Sequence, residues 1–75
     1  ECIYGAARDV TSNDANPRRS KVLCDTAETE FRAYCFEGIG TILGGMHAFR
    51  EGRRAACRAV TTRYFEACAR GAVAA

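Results

Sequence analysis

Two stretches of the sequence decide the fold: Cys24-Asp25-Thr26-Ala27-Glu28-Thr29-Glu30-Phe31-Arg32-Ala33-Tyr34-Cys35 and Cys57-Arg58-Ala59-Val60-Thr61-Thr62-Arg63-Tyr64-Phe65-Glu66-Ala67-Cys68. In each, two cysteines stand 11 positions apart. An unbroken helix of that length separates the Cα atoms by about 16 Å. A disulfide holds them within roughly 4.4–6.8 Å. A bond inside either stretch therefore demands a break in the helix. Asp25-Thr26-Ala27-Glu28 has the form of a capping box, with Asp in the Ser/Thr place, and signals a new helix start. Val60-Thr61-Thr62, at the equivalent place, is a β-branched run of poor helix propensity. Against a break, no Gly or Pro lies between Cys24 and Phe36.

Outward from these stretches, the cysteines fall at positions 2, 24, 35, 57 and 68, with successive spacings of 22, 11, 22 and 11. That regularity indicates a repeat of 33 residues, a length typical of helix–turn–helix solenoid units. A shift by one period superposes Cys2, Cys35 and Cys68, and likewise Gly5, Gly38 and Gly71. Cys24 falls on Cys57, Lys21 on Arg54, Thr29 on Thr62, and Phe31 on Tyr64. The units are 2–34 and 35–67, with a partial third over 68–75.

Apolar spacing places helices on these units. Cys2, Ile3, Ala6 and Val10 mark a first helix over residues 2–11. The cluster Ser12-Asn13-Asp14-Ala15-Asn16-Pro17 ends it, and Asn16 as N-cap with Pro17 at the first helical position starts a second. Cys35, Ile39, Ile42, Leu43 and Met46 mark a third, ending near Gly44-Gly45. A fourth runs from Arg53 to about Phe65, and a last piece covers Ala67 to Ala75. No segment alternates with period two. The expected class is all-α: disulfide-stapled helical hairpin repeats with four to five short helices.

Composition bounds the function. A chain of 75 residues has room for one small core of marginal stability. Its 48% hydrophobic content is that of a folded domain. The longest stretch without a formal charge, Gly38 to Phe49, is too short to cross a bilayer, which takes about 20 residues. Glu1 leads into no basic and apolar leader, so no cleavable signal peptide is expected. A net charge of +2 does not argue for nucleic acid. Five cysteines in so short a chain point to an oxidising compartment.

Two pairings compete. The local scheme, Cys24–Cys35 and Cys57–Cys68, is favoured. The alternative makes residues 18–43 and 50–72 two long antiparallel helices bonded Cys24–Cys68 and Cys35–Cys57. Four glycines between Gly38 and Gly45 weigh against such a helix, each costing about 1 kcal/mol relative to Ala. Translation also accounts for Cys2, whose partner would lie 11 positions upstream of it. The chain is then expected to be a fragment or a cleaved product with further repeats upstream, or Cys2 bonds another chain.

The run Cys35-Phe36-Glu37-Gly38-Ile39-Gly40, with Arg53-Arg54-Ala55-Ala56-Cys57 and Ala67-Cys68-Ala69-Arg70-Gly71, resembles the cysteine-rich, tetratricopeptide-like helical repeats of secreted bacterial proteins. The rival pairing resembles the twin-cysteine coiled-coil-helix–coiled-coil-helix proteins of the mitochondrial intermembrane space. Their motif is Cys-x9-Cys where this chain has Cys-x10-Cys. Both resemblances imply disulfides in an oxidising compartment.

Candidate chemistry is sparse. Met46 and His47 could be imagined as haem or copper ligands, but neighbours on a helix point about 100° apart and no Cys-x-x-Cys-His motif is present. No Cys-x2-Cys suggests zinc. Asp9, Asn13 and Asp14 lack the spacing of a calcium loop, and Gly38-Ile39-Gly40 lacks a dinucleotide fingerprint and reads instead as a place where neighbouring helices approach closely. The arginines are more informative. Arg50, Arg53, Arg54 and Arg58 cluster, as do Arg18, Arg19 and Lys21 one repeat earlier, and guanidinium grips carboxylates well. Phe36, Phe49 and Phe65, beside core positions, are candidate interface anchors. The expectation is a non-catalytic structural or protein-binding subunit of an extracytoplasmic assembly, periplasmic or secreted, without cofactor, metal or nucleic acid. The alternatives are an accessory subunit of a mitochondrial complex and a small metal or redox protein using Met46 and His47.

Overall fold

The computed structural model describes residues 2–74; Ala75, the end of the expected partial unit, lies outside them. Five helices follow one another: α1 (Cys2–Asp14), α2 (Arg18–Thr26), α3 (Thr29–Met46), α4 (Arg50–Val60) and α5 (Phe65–Ala74). No strand occurs among the described residues. α3 is the centre of the molecule, packing most extensively against α5 and next against α1. α2 joins α1 and α3, and α4 joins α3 and α5. The odd-numbered helices thus form one layer, and the even-numbered ones flank α3.

Local chemistry sets the helix ends. α1 runs past the expected residue 11 to Asp14, because Ser12 and Asn13 are tolerated on its exposed side. It stops at Ala15, which adopts φ 59°, the left-handed conformation that closes many helices. Asn16 Oδ1 then accepts a hydrogen bond from Arg18 N at 3.0 Å, but the cap falls one residue later than expected: Pro17 is the N-cap and Arg18 the first residue of α2. Arg19 closes the same turn, with Nε and Nη2 donating to the two Asp14 carboxylate oxygens at 2.8 and 2.9 Å. Beneath it, Thr11 and Ser20 are fully buried and share a hydroxyl–hydroxyl hydrogen bond of 2.6 Å between α1 and α2.

Both cystine stretches break, and the disulfides are Cys24–Cys35 and Cys57–Cys68, with Cα separations of 5.5 and 5.7 Å. The long-hairpin pairing is therefore not formed. The first break is at Ala27 and Glu28. Ala27 is extended (φ −71°, ψ 160°), and its N–H donates to Cys24 O at 3.2 Å. The capping box does not form. Asp25 stays in the last turn of α2, where it pairs with Lys21 at 2.7 Å, and Glu28 makes no side-chain cap. The second break corrects the expected helix from Arg53 to Phe65. α4 ends at Val60, and Thr61 is extended with its N–H donating to Cys57 O at 3.0 Å. Thr61 Oγ1 then accepts from Tyr64 N at 3.0 Å and leads the chain into α5.

The glycines of α3 include the points of close packing expected at Gly38-Ile39-Gly40. The helix passes through Gly38, Gly40, Gly44 and Gly45 without interruption. Their cost in propensity is offset by close approach. A Cβ on Gly38 would lie 2.7 Å from Tyr4 O, and one on Gly40 or Gly44 would collide with the Cys68 or Ala72 carbonyl of α5. Gly71 of α5 returns the contact against Glu37 O. Around this seam the core holds Phe36, Ile39, Leu43 and Val60, the four bonded cysteines, Ala7 and Ala72. Few of these are large, so bonded sulfur fills much of the centre.

Candidate protein-binding groove

α2 and α4 flank α3 with a groove between them. At one end Pro17, Leu43, Met46, Ala56, Ala59 and Val60 contribute to an apolar cleft of about 290 Å³. It continues past Lys21, Ala59 and Val60 into a second cleft of about 370 Å³ at the α4–α5 corner. There the lining includes Lys21, Arg32, Arg58 and Arg63 against a single carboxylate, Asp25. Asp25 is already engaged by Lys21, so three guanidinium groups have no carboxylate within the cleft. A surface apolar at one end and cationic at the other can seat a segment that presents apolar side chains followed by carboxylates.

The arginines are held in place rather than freely solvated. Arg54 and Arg58, one turn apart, both stack over the Phe65 ring, with Cζ 4.9 and 4.6 Å from its centroid. Arg63 lies 5.6 Å over Tyr64. Arg32 Nε donates to Ala27 O at 2.8 Å, tying it to the first cystine corner. The groove walls are also fixed covalently. Cys24 bonds the α2 wall to α3, and Cys57 bonds the α4 wall to α5.

The expected partner-binding residues divide. Arg58 lines the groove. Arg54 lines a separate shallow cleft with Glu66, Ala69, Arg70 and Val73 on the outer side of α4 and α5. Arg53 turns back on its own helix start, donating to His47 O at 2.8 Å and Ala48 O at 3.3 Å. Arg50 is exposed at the first residue of α4. Phe49, before it, is 79% exposed, whereas Phe36 is 0% exposed and stacks on Tyr64 at 5.3 Å. Phe36 is therefore core and cannot anchor a partner. Met46 ends α3 half exposed and borders the groove, and His47 follows as the extended cap residue. Among the described residues no three His, Cys, Asp or Glu side chains converge as a metal cluster would require. Cys2 is a free, exposed thiol on α1.

Sequence reasoning missed Arg32 and Arg63. Arg63 lies in the corner between α4 and α5, and Arg32 in the first turn of α3, after the break at Ala27 and Glu28, so the signal for both was the break itself. One ionisation stands out: the Arg19 guanidinium hydrogen-bonded to Asp14 holds that carboxyl below its ordinary range, and the Arg19 value is raised in turn.

No described helix is long and apolar enough to cross a membrane. Two disulfides are compatible with an oxidising compartment. Comparisons with protein families, with curated proteins and with solved structures find no match for the chain.

Proposed function

We propose that this chain is a non-catalytic, disulfide-stapled helical module that binds a protein partner through the α2–α4 groove, in an extracytoplasmic compartment that is periplasmic or secreted. The observation that carries the reading is the groove's composition, with apolar lining from Leu43, Met46, Ala56, Ala59 and Val60 running into Arg32, Arg58 and Arg63. The cystines supply the mechanism. By bonding each groove wall to a neighbouring helix, they hold the site in shape before the partner arrives and reduce the ordering cost of association. The partner segment carries apolar side chains and at least one carboxylate. Guanidinium groups stacked on Phe65 and Tyr64 lose less side-chain freedom on meeting a carboxylate than free lysines do. In this reading it acts as a rigid structural subunit of a larger assembly.

The test is selection of peptides from a displayed random library on the oxidised protein. Peptides combining apolar and acidic residues are expected. Their affinity is expected to fall at least about tenfold on Arg58→Glu or Ala59→Asp, from loss of roughly 1.4 kcal/mol or more. Peptides that bind both variants as tightly as the parent would place binding elsewhere and refute the reading.

A further inference from the structure

The chain shows twice how one of its odd-numbered helices is covered by what precedes it. Gly38 of α3 lies against Tyr4 O of α1, and Gly71 of α5 lies against Glu37 O of α3. Both partners advance by 33 residues between the two contacts. The disulfides keep the same step, since Cys24–Cys35 becomes Cys57–Cys68 when 33 is added to each number. The cysteine and the glycine three residues after it, within α3 and within α5, therefore act together. The glycine lets the preceding odd helix approach to backbone contact, and the cysteine ties down the even helix between them.

α1 carries the same pair, Cys2 and Gly5, in the same columns, and neither is engaged. A Cβ on Gly5 would meet nothing within 4 Å, and Cys2 is a free, exposed thiol. From these two uncovered counterparts of covered residues, we infer that the outward face of α1 is a docking face for one more helical hairpin of this same repeat. Its first helix sets a backbone carbonyl over Gly5, and its second carries a cysteine that bonds Cys2. Two thiols lose their protons and two electrons to form that bond, and a disulfide oxidant such as oxidised glutathione accepts them and leaves as two thiols. The face continues an interface already built twice inside the molecule, and its occupant is defined by that register.

This inference does not depend on the groove, because its variants leave α2 and α4 untouched. The direct experiment places a second copy of residues 2–34, with its own Cys2 replaced by Ser, immediately before Cys2 and oxidises the longer chain in a glutathione redox buffer. Thiol titration is expected to fall from one free thiol in the parent to none, with a higher melting temperature. Gly5→Ala should then reverse sign. In the parent it replaces a helical glycine in open space and raises the melting temperature by a few degrees. In the longer chain it meets the carbonyl of the added helix and lowers it. A Cys2 that stays titratable in the folded longer chain, or a Gly5→Ala variant that raises the melting temperature in both chains, overturns the inference. Should the longer chain fail to fold, a synthetic peptide of residues 15–27, containing Cys24, offers a second reading. It is expected to form a mixed disulfide with Cys2 at least tenfold more readily than a scrambled peptide, and equal yields overturn the inference. Sedimentation velocity of the parent adds a last check: self-association abolished by Gly5→Arg would make a second copy the occupant and refute the hairpin.

Discussion

Gly44 and Gly45 are neighbours in one helix that face opposite surroundings, and replacing each by Ala should move stability in opposite directions. A Cβ on Gly45 would meet nothing within 4 Å, whereas one on Gly44 would collide with the Ala72 carbonyl and press on its Cα at 3.0 Å. Helix propensity favours Ala over Gly by up to about 1 kcal/mol at either position. At Gly45 that gain stands alone, so Gly45→Ala is expected to stabilise by about 0.5–1 kcal/mol. At Gly44 the obstacle is backbone rather than the tip of a flexible side chain, so α3 and α5 must separate. Overpacking of this kind costs roughly 1–3 kcal/mol, which outweighs the propensity gain and leaves a net loss of up to about 2 kcal/mol. For a domain of this size, 1 kcal/mol corresponds to about 4–8 °C in Tm. Urea titrations followed by circular dichroism on both variants measure the difference, with propensity largely cancelling between them. Equal stabilisation by both substitutions would refute a close-packed α3–α5 seam.

Other outcomes follow from the same geometry. Replacing Cys57 and Cys68 together by Ala removes a bridge spanning 11 residues, and denaturant unfolding should show a loss of about 3 kcal/mol. A change below about 1 kcal/mol would mean the unfolded chain is not what the bridge constrains. Ala15→Gly relieves a left-handed residue at φ 59° and is expected to raise stability by about 0.5–1 kcal/mol, read from the urea midpoint. Asp14 has a lowered folded-state pKa because Arg19 donates to it. Its contribution is therefore present above the unfolded carboxylate value of about 3.9 and is lost as pH falls through the folded value. The midpoint gap between parent and Asp14→Asn should be open at pH 7 and close below about pH 4; a gap unchanged at pH 3 would contradict the pairing.

Much of the fold was legible because its signals are local. The Val60-Thr61-Thr62 run breaks where β-branched residues resist helix, and Asn16 accepts from Arg18 N at the turn that starts α2. The alternating 22- and 11-residue spacing of the cysteines exposed the period that the glycine contacts and disulfides then repeat. Where reading failed, a distant neighbour decided. Gly38 and Gly40 read as points of close helix packing, but which backbones they meet, those of α1 and α5, is decided by residues far away in sequence. Asp25 resembled the start of a helix, but Lys21 four residues earlier holds it as the end of one. Phe36 lies next to a cysteine in sequence as Phe49 lies next to an arginine, and only packing separates core from surface. The groove was partly visible through Arg58 and Lys21. Its other cations, Arg32 and Arg63, meet them only once both corners have turned.

The central claim is that two short-range bridges, each across a broken helix, hold this small all-α module together. Proteolysis of the native protein under non-reducing conditions, after alkylation of accessible thiols, tests it most directly by mass spectrometry. The expected result is one peptide pair linking Cys24 to Cys35 and another linking Cys57 to Cys68, with the alkyl label on Cys2 alone. Peptides linking Cys24 to Cys68, or label on all five cysteines, would contradict it.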